Sequence, residues 1–133
     1  MDLGLSGRTV IVTGASGGIG RHIARGFGAE GANVVVTYHR ARHEAEQVAK
    51  EIGERALVVQ YQMDDEDAAT SLVESAREWT GRVDVLVNNA VHWGDDAPEP
   101  DRPFETVPDA GWLKVLRLNT EGALRLSRAV API

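Results

Sequence analysis

The stretch TGASGGIG, residues Thr13–Gly20, decides the fold. It follows a β-branched run, Arg8–Thr13, and opens an amphipathic stretch, about Gly18–Glu30, in which apolar residues recur every four positions. Glycines between a strand and a helix allow a tight turn and let a pyrophosphate approach the backbone, where the N–H groups of the helix N-terminus bind phosphate oxygens. The turn therefore predicts a dinucleotide site, and a glycine-rich turn without a ligand is the alternative.

Further along the chain, short apolar runs alternate with helical stretches. The runs are nearly continuous in β-branched residues, which is typical of strands buried on both faces of a parallel sheet. We therefore expect an α/β fold, the first half of a Rossmann-type doubly wound parallel sheet in the order 3-2-1-4 with flanking helices. Residues 1–133 are expected to form the N-terminal part of a single domain, with the sheet incomplete. Between the first helix and Asn88, the remaining predicted strands are Ala32–Tyr38, Arg55–Gln60 and Val83–Val87. The remaining predicted helices there are at about Arg42–Ile52 and Asp65–Thr80.

The region after the fourth strand breaks this rhythm. Its prolines and acidic residues predict a long loop over Asn88–Pro108, and a long helix follows at about Asp109–Val130. Asn119 is the only polar residue in the middle of that helix's apolar face, so it is either a core amide that holds a neighbouring loop or an active-site residue. The apolar face consists of Trp112, Val115, Leu116, Gly122, Ala123, Leu126 and Val130.

The composition is that of an ordinary globular protein, with 43% hydrophobic and 26% charged residues and a net charge of −6. The basic residues are scattered, which disfavours nucleic acid or an anionic membrane as a partner. There is no cysteine, and His39 and His43 have no third ligand beside them, so we expect no metal site. The acidic run Asp64–Asp67 is expected to complement the dipole of the third helix. No signal peptide or membrane span is apparent, and we expect a cytoplasmic protein.

Three motifs in order make the chain similar to a known family: the turn Thr13–Gly20, Asn88-Asn89-Ala90 after the fourth strand, and Asn119 about thirty residues later. They resemble the short-chain dehydrogenase/reductase family, and within it NADPH-dependent carbonyl reductases of the 3-oxoacyl-carrier-protein reductase and pteridine reductase kind. The resemblance implies a ketoreductase-like oxidoreductase that transfers hydride between a nicotinamide cofactor and a small carbonyl or alcohol substrate, and that forms homo-oligomers through the long helix. It also implies that Asn119 supports a catalytic proton relay. The implied cofactor contacts are Gly14, Ser16, Gly17, Gly18, Ile19, Gly20, Tyr38, His39, Arg40, Gln62, Met63, Asn89 and Ala90.

The end of the second strand indicates which cofactor binds. NAD-specific members of this fold place Asp or Glu there to bind the ribose 2′-hydroxyl, whereas this chain has Tyr38-His39-Arg40, with Arg42 following and no acid. A guanidinium matches a phosphate in a bidentate way, so we expect NADP(H) and an NADP-binding Rossmann domain. The alternative is that Arg40 and Arg42 are solvated charges that open the next helix.

The chain departs from the family pattern at several positions. Gln62-Met63 stands where Asp and an apolar residue commonly meet the adenine, and Val91 replaces a glycine. His92-Trp93 would either face the substrate or anchor a packed loop.

The catalytic pair of the family, a Tyr with a Lys four residues later, is not found: Tyr38 is followed at that spacing by Arg42, and Tyr61 by Asp65. We therefore expect the catalytic Ser, Tyr and Lys outside these 133 residues, in a continuation of the polypeptide or in a separate chain. Without that part, the fourth strand would be a bare apolar edge, and the long helix would lack part of its cover. The alternative function is a non-catalytic dinucleotide-binding module, or half of a split protein that needs a partner chain.

Overall fold

The computed structural model describes residues 2–93 and 102–132. Four parallel strands lie in the order β3-β2-β1-β4, with helices on both faces of the sheet, so the predicted doubly wound architecture and strand order are confirmed. In chain order the elements are β1 (Thr9–Val12), α1 (Gly18–Ala29), β2 (Asn33–Tyr38), α2 (Arg42–Ile52), β3 (Ala56–Gln60), α3 (Ala68–Thr80), β4 (Val85–Val87), a 3-10 turn (Phe104–Thr106) and α4 (Asp109–Val130).

The side chains of β1 divide the core into two layers. Val10 and Val12 pack with residues of α1 and α2, whereas Ile11 between them packs with residues of α3 and α4. This follows from the alternation of side chains along a strand. β1 is also the central strand, since Val10 pairs with Val34 of β2 on one side and with Val85 of β4 on the other. A strand covered on both faces needs an unbroken apolar run, which is the pattern that the sequence has.

Helix α3 begins later than predicted. The predicted start is at about Asp65, but the helix starts at Ala68. The reason is a local turn in which the Asp65 carboxylate accepts a hydrogen bond from the Asp67 N–H, at 2.9 Å. Such a side-chain to backbone bond competes with the first helical turn. The acidic run Asp64–Asp67 therefore precedes the helix, and no acid lies in its first turn.

The predicted loop Asn88–Pro108 is irregular over residues 88–93 and contains the short 3-10 turn Phe104–Thr106. Part of the loop, with Pro98 and Pro100, lies outside the described residues.

Helix α4 packs on the sheet through a narrower face than predicted. Gly122 and Leu126 are buried, and a Cβ added at Gly122 would overlap the Met63 side chain, so the glycine permits a close approach. Trp112 and Leu116 were predicted on the buried face, but they are 43% and 58% exposed because they lie on the flank of the contact. Leu113 and Leu124 are exposed as well. In the described part of the chain, no helix combines the length and the apolar character that crossing a bilayer requires.

Asp84 closes the amino-terminal edge of the sheet. Its carboxylate accepts hydrogen bonds from the Arg82 guanidinium, from the Thr9 N–H at 2.8 Å and from Arg8 at 3.0 Å. The side chain is only 15% exposed. The hydrogen bond from Arg82, opposed by burial and aided by Thr9 and Arg8, lowers the pKa of Asp84 from 3.8 to about 2. The ionised form is therefore part of the folded structure.

Replacing Asp84 with Asn is expected to reduce the free energy of unfolding at neutral pH by about 2 kcal/mol, the size of hydrogen bonds to a charged group. Because the folded-state pKa is depressed, this stability is present above pH 3.8 and is lost as the pH falls towards about 2. Urea denaturation of both proteins at a series of pH values measures the effect. The difference between them should shrink over that window; a difference that is constant with pH contradicts the assignment. Glu54→Gln, at an exposed carboxylate, serves as the control.

Candidate functional site

The Thr13 hydroxyl joins the loops that follow β1 and β4. It donates to the Val87 carbonyl at 3.2 Å and accepts hydrogen bonds from the N–H groups of Asn89 and Ala90, at 2.9 and 3.0 Å. The side chain is almost completely buried. These three bonds bring the glycine-rich turn and the Asn-Asn-Ala motif together at the carboxyl ends of the strands, where open α/β sheets bind their ligands.

Asn89 supports the turn from the other side. Its side-chain amide donates to the carbonyl oxygens of Thr13 and Gly14, at 3.0 and 3.3 Å. Gly14 has a φ of +63°, and a Cβ placed there would lie 3.0 Å from the Ala90 Cα. Both the backbone conformation and the close approach therefore require glycine at this position.

Thr37, in β2, holds the turn against the second strand. Its hydroxyl donates to the Val12 carbonyl and accepts a hydrogen bond from the Gly14 N–H, both at 3.1 Å. The Ala15 N–H donates to the Thr37 carbonyl at 2.9 Å. The turn is thus tied by hydrogen bonds within the chain to β2 and to the loop after β4.

The N-terminus of α1 is open. Within the described residues, no side chain caps the helix, and its first turn holds no acid. The first N–H groups of a helix have no intrahelical acceptor, so those of Gly18, Ile19 and Gly20 are available to a ligand and carry the positive end of the helix dipole. A Cβ at Gly20 would overlap the Gly14 carbonyl oxygen, so only glycine allows the turn to fold back this closely. The arrangement fits a phosphate group.

The end of β2 lies beside this turn. Tyr38 is half-buried, whereas His39 and Arg40 are exposed, and the His39 carbonyl accepts a hydrogen bond from Gln60 at 3.0 Å. Arg42 is paired with Glu46 at 2.7 Å on the surface of α2. Among the described residues, Arg40 has no ion-pair partner. Of the two arginines considered from the sequence, Arg40 is therefore the one whose charge is uncompensated.

The two predicted cofactor contacts after β3, Gln62 and Met63, lie in different surroundings. Gln62 is exposed, whereas Met63 packs against α4 at Gly122. Of these two side chains, Gln62 is therefore the exposed one. Tyr61 is buried in the core, and this burial, opposed by the charge of Arg125, raises the pKa of its phenol. Tyr61 is not suited to exchange a proton with a bound substrate.

Asn119 holds the loop that follows Ala90. Its side-chain amide donates to the carbonyls of His92 and Val115, both at 2.7 Å, and its oxygen accepts a hydrogen bond from the His92 N–H at 2.8 Å. All three bonds serve the backbone, and two of them fix one residue of the loop. Of the two interpretations drawn from the sequence, the structure places Asn119 in the loop-holding position, next to the candidate site.

Thr13 and Thr37 were not among the predicted cofactor contacts. A hydroxyl at the carboxyl end of a β-branched strand is the signal that was available, but threonine is common in strands for its shape alone. Among the residues that the structure describes, no group of three or more His, Cys, Asp or Glu side chains is placed to hold a metal ion, and His43 contacts Gln47 instead.

Comparison with known proteins adds independent findings. The sequence matches the short chain dehydrogenase family over residues 8–133. It is 35% identical over 128 residues to glucose 1-dehydrogenase 2 of Bacillus subtilis (strain 168), covering 94% of this chain and 48% of the relative. It is 34% identical over 134 residues to 7alpha-hydroxysteroid dehydrogenase of Escherichia coli (strain K12), covering 98% and 49%. The chain spans about half the length of the curated relatives it matches.

A solved structure shares the fold over nearly the whole chain. The 3-ketoacyl-(acyl-carrier-protein) reductase from Brucella melitensis, complexed with NADH, superposes with a TM-score of 0.82 at 33% identity, covering 96% of this chain and 50% of that one. The glycine-rich turn, the strand order and the family match agree, and the chain belongs to the short-chain dehydrogenase/reductase family of oxidoreductases.

Proposed function

We propose that this chain binds NADP(H) for an oxidoreductase that interconverts a carbonyl compound and its alcohol, in the manner of a ketoreductase. The observation that carries the proposal is the uncapped N-terminus of α1 behind a turn that only glycines can form, at Gly14 and Gly20. When bound, NADP(H) supplies or accepts the hydride. The names of the relatives, which are dehydrogenases and reductases, support the same class of reaction.

In this proposal the chain contributes the cofactor site. The N–H groups of Gly18, Ile19 and Gly20 bind the pyrophosphate, with Ser16 and Gly17 beside them. Tyr38 and His39 lie along the adenosine side with Gln62, the backbone of Met63, Asn89 and Ala90. Ile19, 74% exposed in the first turn of α1, offers an apolar surface to the cofactor. The proposed contacts that form the cofactor site are Gly14, Ser16, Gly17, Gly18, Ile19, Gly20, Tyr38, His39, Arg40, Gln62, Met63, Asn89 and Ala90.

Asn119 takes a positioning role, because its three hydrogen bonds hold the backbone beside the site. The proton donor to the carbonyl oxygen is assigned to the whole protein and not to residues 1–133, since neither Tyr38 nor Tyr61 has a Lys four residues later. We further propose a cytoplasmic homo-oligomer in which copies associate through the exposed leucines of α4. Oxidation of NADPH by the full-length protein, measured with simple ketones, tests the reaction.

Arg40→Ala is expected to weaken the binding of NADP+ by about ten- to hundredfold and to leave the affinity for NAD+ almost unchanged. The reason is that the exposed guanidinium has no ion-pair partner among the described residues and lies where the 2′-phosphate would come, and a charge-assisted bond of this kind contributes about 1.5–3 kcal/mol. Calorimetric titration of both cofactors measures the effect. Arg55→Ala removes the same charge just before β3, at the amino-terminal end of the strands, and serves as the control. If wild type and Arg40→Ala alike bind NAD+ at least as tightly as NADP+, the assignment is wrong.

A further inference from the structure

The loop 91–93 lies at the point of the sheet where ligands bind. The chain leaves β1 towards β2 and β3 on one side, whereas β4 lies on the other side of β1. The loops after β1 and β4 therefore border the crevice at the topological switch point. The hydrogen bonds between Thr13 and the backbone of Asn89 and Ala90 close the base of that crevice. Residues that follow Ala90 directly are placed at its rim.

The backbone of this loop is neither helix nor strand, and it is anchored at His92. The N–H and the carbonyl of His92 are both bound by the side chain of Asn119, at 2.8 and 2.7 Å. Because Asn119 is itself fixed to the Val115 carbonyl of α4, the loop is anchored to a long helix. Trp93, the next residue, therefore starts from a defined backbone position.

This loop leaves two apolar side chains exposed. Trp93 is 63% exposed and Val91 is 56% exposed. Both belong to the loop at the rim of the crevice. Ile19, on the other side of the crevice, is also exposed. An indole offers a large flat surface with little conformational entropy to lose, and offset stacking on another ring adds to what burial alone contributes.

We propose that Trp93 forms an aromatic wall of the substrate pocket and selects carbonyl substrates that carry a planar aromatic ring. The inference rests on the proposed function, since it takes the crevice as the place where the carbonyl substrate meets the cofactor. Asn119 contributes indirectly, because it positions the backbone from which Trp93 extends.

The test uses two ketones that share the reacting acetyl group and differ in the ring: acetophenone, which is flat, and cyclohexyl methyl ketone, which is not. Each is titrated calorimetrically into the full-length protein saturated with NADP+, with which a ketone forms an unreactive complex. Trp93→Ala is expected to weaken the binding of acetophenone by roughly tenfold and the binding of cyclohexyl methyl ketone by much less. The affinity for NADP+ should be unchanged. Trp93→Phe, which keeps an aromatic ring, should restore most of the acetophenone affinity.

Three outcomes would overturn the inference, and they differ from one another. Unchanged acetophenone affinity in Trp93→Ala would mean that the indole does not touch the substrate. If Trp93→Ala loses equal affinity for both ketones and also has a lower melting temperature, Trp93 is an anchor of the loop. If wild-type protein fails to bind NADP+ at all, the proposed function fails and takes the inference with it, whereas the first two outcomes leave the proposed function intact.

Discussion

Gly20→Ala is expected to abolish dinucleotide binding and to destabilise the fold by several kcal/mol. A Cβ at this position would overlap the carbonyl oxygen of Gly14 and crowd the side-chain amide of Asn89. Neither the Gly14 backbone nor the Asn89 amide can move away easily. The Asn89 amide is hydrogen-bonded to Thr13, and the Gly14 N–H is hydrogen-bonded to Thr37. Forcing backbone apart in a packed core costs about 1–3 kcal/mol or more. It would also move the N–H groups that we propose bind phosphate.

Gly26→Ala provides the matched control in the same helix. A Cβ at Gly26 meets nothing within 4 Å, so this variant should be neutral or more stable by up to about 1 kcal/mol, because alanine favours the helix. Urea denaturation and calorimetric titration with NADP+ measure both variants. A Gly20→Ala protein that keeps wild-type affinity for the dinucleotide would show that the close approach of α1 to the turn is not needed for binding.

Leu126→Ala is expected to reduce the free energy of unfolding by about 2–5 kcal/mol, the range for deleting a fully buried leucine side chain. Leu126 is completely inaccessible and belongs to the cluster that includes Ile11 of β1 and Leu72 of α3. It therefore joins the central strand to two helices. The cavity left by truncation cannot be filled by a small shift, because the strand is already paired on both sides.

Leu124→Ala removes the same atoms from a side chain that is 64% exposed on the same helix. Its effect on the free energy of unfolding of the monomer, measured at a protein concentration too low for copies to associate, should stay within about 0.5 kcal/mol. Chemical denaturation of the two variants under identical conditions gives the comparison. Equal losses would mean that α4 packs on the sheet through a different face from the one that Gly122 and Leu126 define.

Much of the fold can be predicted from the sequence because each element has a local signal. The apolar run of β1 and the glycine turn behind it specify a buried parallel strand followed by a helix, and the structure has both. The start of α3 could not be predicted in the same way. Acidic residues near a helix start can lie in its first turn, or they can form a separate turn before it by bonding to the backbone. The hydrogen bond that the Asp65 carboxylate accepts stabilises the separate turn.

The buried face of α4 also required the tertiary structure. A helical wheel places Trp112 and Leu116 with Leu126, but only part of a wide apolar stripe can face one sheet. The contact between Gly122 and Met63 sets the rotation of the helix, and Trp112 and Leu116 lie on its flank. The wheel contains no information about Met63, because that residue comes from a different part of the chain.

The turn Thr13–Gly20 by itself determined the class of fold and the place where a phosphate fits, because glycine spacing and strand-to-helix order are local properties of the chain. The tertiary structure decided what holds this turn in shape. Thr13, Thr37 and Asn89 come from three different strand ends, and their bonds exist only once the sheet has formed. It also decided that Asn119 holds the loop of His92, since a partly buried amide bonds to the backbone that the fold brings within reach.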